Sequence, residues 1–163
     1  MIRTFLLSFV LFAFTFNVHA QECSTETDEF TGANTVQCEV KIVEIENEGE
    51  ETMYRAGASV IKTEGRPFLL VAASSESWNF LGEDKAYTRI NGEARSRRMS
   101  FVDRDTNTDG GFSVYEVVAV ELESEDLETI ANSPSEFRIK IGQTVLGLSG
   151  AGLDSQASFV LNN

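Results

Sequence analysis

Apolar and polar residues alternate along most of this chain. Val36, Cys38, Val40 and Ile42 are interleaved with Gln37, Glu39 and Lys41, the two-residue period of a half-buried strand. Tyr54, Ala56, Ala58 and Val60 repeat the pattern, and residues 68–73 are apolar throughout, as in a strand covered on both faces. Asn91-Gly92 separates two further strand patterns, residues 86–90 and 93–102, and this dipeptide tolerates the positive φ of a tight hairpin. Residues 112–122 are long and β-branched. Phe137, Ile139 and Ile141 alternate with Arg138 and Lys140, and residues 144–149 resume after Gly142-Gln143 as the second arm of another hairpin. One helix is predicted where Ser124 can cap, Glu125 and Asp126 suit the helix dipole, and Leu127, Ile130 and Ala131 share a face before Asn132 and Pro134. Leu153, Ala157 and Val160 fit either a second helix or a last strand. The expected fold is mainly β: an antiparallel β-sandwich or small barrel with one or two short helices.

The first twenty residues change that picture. Arg3, an apolar run and Val18-His19-Ala20 read as a secretory signal cleaved before Gln21, leaving a single domain over 21–163. The product is expected to be secreted or periplasmic, and no later run is long enough for a membrane span. Cleavage removes His19, the only histidine, and with it imidazole catalysis and histidine metal ligation. Gly147-Leu148-Ser149-Gly150-Ala151 misses a nucleophile elbow by one residue and has no histidine to activate Ser149. Cys23 and Cys38, an even pair in an exported chain, predict one disulfide.

Without Arg3 the balance is 12 Lys and Arg against 26 Asp and Glu, a formal −14. Such a chain repels nucleic acid and anionic lipid and attracts cations and cationic partners. Against that background Arg95, Arg97 and Arg98 form a local basic cluster, expected to balance neighbouring strand carboxylates. Trp78 and Phe80 read as core plugs rather than an aromatic ligand surface.

One motif carries candidate chemistry. Asp105-Thr106-Asn107-Thr108-Asp109-Gly110, followed after five residues by Glu116, resembles the EF-hand calcium loop at every fixed position. The resemblance ends there, because residues 112–122 prefer strand to the helix an EF-hand requires. The expectation is therefore a hairpin loop offering Asp103, Asp105, Asn107 and Asp109 to calcium, with Glu116 as a further ligand, or the same loop metal-free. Glu116 also shares a strand face with Val114, Val118 and Val120, so it points at the core, where Arg98 is the expected cross-strand partner. The functional expectation is a non-enzymatic binding or interaction protein for a protein, surface or small ligand, with calcium as a candidate stabilising ion. A small carboxylate-dependent hydrolase is the alternative, and it requires a cleft with two facing carboxylates.

Overall fold

The computed structural model describes residues 22–29, 31–47, 53–108, 112–149 and 151–163. The expected signal segment 1–20 and Asp109 lie outside them. The described strands are β1 (Cys23–Thr27), β2 (Asn34–Cys38), β3 (Lys41–Asn47), β4 (Met53–Thr63), β5 (Arg66–Ser75), β6 (Lys85–Ile90), β7 (Glu93–Asn107), β8 (Ser113–Glu121), β9 (Arg138–Ile141) and β10 (Thr144–Gly147). The helices are α1 (Ser124–Asn132) and α2 (Leu153–Asn162), so the C-terminal segment is helical.

Eight strands close an antiparallel barrel in the order β4-β3-β10-β9-β6-β7-β8-β5, with β5 returning to β4. The expected mainly-β fold is therefore present, and it takes the barrel form. β1 and β2 form a hairpin outside the barrel, joined by the Cys23–Cys38 disulfide between register partners. Asn91 and Gly92 both take positive φ in the β6–β7 turn, as their sequence requires.

Two connections cross the barrel ends. The β5–β6 connection, 76–84, crosses one end and sends Phe80 into the core, where it is 0% exposed. The β8–β9 connection crosses the other end through α1, whose Leu127 and Ile130 join the same core. α2 packs against α1 and β4.

β2 and β3 run along one edge of β4, but their register shifts by one residue between Val36↔Lys62 and Lys41↔Ala58. The shift breaks the hydrogen-bond ladder. Gln156 of α2, 0% exposed, bridges the break: the Val60 N–H donates to its Oε1 at 3.0 Å, and its Nε2 donates to the Glu39 carbonyl at 2.6 Å. A side-chain amide thus satisfies two backbone groups that the strands leave unpaired.

Candidate functional site

The predicted ion ligands that lie among the described residues, Asp103, Asp105, Asn107 and Glu116, do not converge. β7 continues as strand to Asn107, so Asp103, Asp105 and Asn107 occupy alternate positions on its outer face. At about 6.8 Å per two residues, Asp103 and Asn107 stand about 13 Å apart along the strand, while ligands of one calcium lie about 2.3–2.6 Å from it. Asp103 and Asp105 accept hydrogen bonds from the next residue's backbone, Arg104 N–H at 2.8 Å and Thr106 N–H at 2.7 Å. Asp103 also lies beside Tyr115, whose pKa is raised by burial and then by the Asp103 charge.

Glu116 lies on the opposite face, inside the barrel and 0% exposed. Its Oε2 accepts the Asn79 N–H at 2.7 Å and its Oε1 accepts the Phe80 N–H at 3.1 Å. The register partner of Glu116 on β7 is Arg104, not Arg98, because the hairpin is tighter than the expected loop and Val102 is bulged out of the ladder. Glu116 therefore works as an anchor for the crossover that carries Phe80.

The basic cluster divides by parity. Arg95 and Arg97 share the inward face of β7 with Met99, while Arg98 points out. Arg97 is 7% exposed, and its Nε donates to Asp126 Oδ2 at 2.7 Å and its Nη2 to Asp126 Oδ1 at 3.2 Å. Asp126 also accepts the Glu123 N–H at 2.8 Å, which ties the start of α1 to the same ion pair. Arg95 forks onto Glu125, and this hydrogen-bonded contact lowers the Glu125 pKa and raises that of Arg95. The inward arginines thus meet helix carboxylates, where sequence reading expected strand carboxylates.

The outward positions of the same wall form a different surface. Register aligns Lys85 with Arg98, Tyr87 with Ser96 and Lys140, Arg89 with Ala94 and Arg138, and β10 adds Val145 and Gly147 beside Lys140 and Arg138. Directly opposed residues share a face. Five of the chain's 13 Lys and Arg therefore crowd around Tyr87, which is 48% exposed, and none of these outward positions holds a carboxylate.

Among the described residues, carboxylates stand at the border of this surface, and Glu136 is beside Arg89 and Arg138. Glu46 pairs with Arg138, and Glu83 lies against the Gly142 turn. Lys85, Arg89, Arg98 and Lys140 have no ion-pair partner among the described residues. No family model, curated protein or solved structure matches this chain.

Sequence reading missed this surface although its signal is present. Lys85-x-Tyr87-x-Arg89 and Arg138-x-Lys140 each place cations at strand period, which puts them on one face. What the sequence leaves out is the pairing of β6 with β9, which brings the two runs side by side.

Proposed function

We propose that the protein is an exported, non-enzymatic binding domain that holds a polyanion against the outer face of β6, β7 and β9. The observation that carries this reading is the cation grid around Tyr87, in which Arg138 alone has an ion-pair partner among the described residues, in a chain with twice as many carboxylates as cations. Opposed like charges such as Arg89 and Arg138 destabilise a sheet unless a counter-charge relieves them. Among the described residues, only Arg138 has such a counter-charge.

The net negative charge does not cancel this face. At physiological ionic strength, exposed charges more than about 8 Å away are largely screened, so a bound ligand responds to its immediate neighbours. Export, the compartment and the single domain over 21–163 remain part of the proposal.

The hydrolase alternative draws no support from the buried carboxylates. Glu116 and Asp126 are the natural candidates for a perturbed acid, and each is committed to holding a crossover. Binding of the mature protein to an immobilised carboxylated polysaccharide tests the proposal. Wild type is expected to bind at about 0.15 M salt and dissociate near 1 M, where screening shortens to about 3 Å. The triple variant Lys85→Glu, Arg98→Glu, Lys140→Glu is expected not to bind. Equal binding by that variant would overturn the proposal.

A further inference from the structure

The basic face includes one concave place. A cleft of about 310 Å³ opens where the β6–β7 turn meets the 3-10 turn Pro134–Glu136, lined by Arg89, Asn91, Gly92, Ser135, Glu136 and Arg138. The depression is shallow and open to solvent, so it suits one unit of a longer ligand lying along the surface rather than an enclosed small molecule.

Its two guanidinium groups are held in place. Arg89 Nε donates to the Gly92 carbonyl at 3.3 Å, which pins the side chain to its own hairpin turn. Arg138 Nη1 donates to the Ser135 carbonyl at 2.6 Å and the Phe137 carbonyl at 3.1 Å, and its Nε meets Glu46. Arg89 is thus held through Nε, and Arg138 through Nε and Nη1, while the remaining N–H donors on each fork have no protein acceptor among the described residues. Pre-held donors lose less freedom when a ligand arrives.

The rest of the lining is informative about charge. Asn91 and Ser135 offer neutral donors and acceptors, and Glu136 offers an acceptor only. With Glu46 on Arg138 and Glu136 in the lining, two cations face two carboxylates, and Arg89 is the cation without an ion-pair partner among the described residues; this favours a ligand of single negative charge that also carries hydroxyl donors. Phosphate or sulfate groups at high charge density would be opposed by Glu136, and a plain carboxylate would leave Glu136, Asn91 and Ser135 unused. A sugar acid supplies both: its carboxylate for the Arg89–Arg138 pair, and its hydroxyls for Glu136, Asn91 and Ser135. Tyr87 is the outward residue next along β6 from Arg89, one two-residue step away, and gives an adjoining sugar an aromatic surface.

Resting on the polyanion reading, we infer that the ligand is an acidic polysaccharide of the uronate type and that the Arg89–Arg138 cleft receives one uronate unit. The chain continues over Tyr87 toward Lys140, Lys85 and Arg98.

Nuclear magnetic resonance of the mature, isotope-labelled protein tests this with D-glucuronate, D-glucose, inorganic phosphate and a uronate oligomer. Glucuronate at millimolar concentration is expected to shift the amides of Asn91, Gly92 and Ser135, and the oligomer to extend the shifts to Tyr87 and Lys140. Arg89→Gln is expected to weaken glucuronate at least tenfold while leaving the fold intact, since the side chain is exposed. Glu46→Gln is expected to tighten glucuronate a few-fold by releasing Arg138. Phosphate shifting the cleft amides as strongly as glucuronate would show a bare anion site and overturn the sugar assignment, as would equal binding of single-stranded DNA or anionic vesicles. If the oligomer binds and the Lys85, Arg98, Lys140 triple variant abolishes it, yet Arg89→Gln changes nothing, the cleft inference fails and the polyanion reading stands. If the oligomer does not bind wild type, both fail.

Discussion

Arg97 and Arg98 are neighbours on β7 and meet opposite surroundings. Arg97 turns into the barrel, is covered almost completely and is gripped by Asp126 at the mouth that α1 crosses. Arg98 turns outward, opposite Lys85 on β6, and has no carboxylate within ion-pair distance among the described residues. The contrast extends across the whole wall: inside, Arg95 and Arg97 are matched to Glu125 and Asp126, while outside only Arg138 of five cations has an ion-pair partner among the described residues. Carboxylates are abundant in this chain, so the outward cations are not unpaired for want of them. The inner face spends its charges on holding a crossover in place, and the outer face keeps them available.

That comparison predicts a wide gap in stability effects. Arg97→Ala leaves Asp126 buried without its counter-charge and is expected to destabilise the protein by about 3–5 kcal/mol. Chemical denaturation checks it; a loss below about 1 kcal/mol would mean that the pair is solvated. At the opposite mouth, Glu116→Ala removes the acceptor for the Asn79 and Phe80 N–H groups and is expected to cost about 1–3 kcal/mol. Glu116→Gln keeps one acceptor oxygen and should fall between wild type and Glu116→Ala by the same measurement. Arg98→Ala and Lys85→Ala, on the outer face, are expected to stay within about 0.5 kcal/mol of wild type. A large loss there would erase the distinction between the faces.

Acid sharpens the inner face further. The Glu125 pKa is lowered by its hydrogen bond to Arg95, so the pair contributes stability above the ordinary glutamate value of 4.5 and loses it as pH falls through the lower folded value. Both groups are exposed, so the effect is small. The melting temperature of wild type should fall more steeply below pH 4.5 than that of Glu125→Gln. Smallest of all is the expected response to calcium. Asp105→Ala should leave melting curves in millimolar calcium and in chelator superimposable within about a degree, because Asp103, Asp105 and Asn107 are spread along an extended strand and Glu116 faces away from them.

Local pattern made much of this molecule legible. The Asn91-Gly92 turn, the Gly142-Gln143 turn, the apolar face of α1 and the Cys23–Cys38 pairing each follow from chemistry within a few residues. What escaped depends on register between distant segments. A tighter β7–β8 hairpin with a bulge at Val102 moved Glu116 from Arg98 to Arg104. Crossovers at both mouths supplied partners, Asn79 and Phe80 for Glu116 and Asp126 for Arg97, that no alternation pattern specifies. The EF-hand-like spacing is ambiguous for a related reason, since an ion loop and an extended hairpin arm draw on the same Asp and Asn residues. The cation grid was half legible: period two set its rows, and only the β6–β9 pairing joined them.

The central claim is that the outer cations bind while the inner ones hold the fold. The most direct test measures polymer binding and melting temperature together for two proteins, wild type and the triple variant Lys85→Glu, Arg98→Glu, Lys140→Glu, titrated with a uronate oligomer at 0.15 M salt. The account predicts that the variant keeps the wild-type melting temperature within a few degrees and loses oligomer binding by at least tenfold. Undiminished binding by a variant that melts like wild type would contradict it.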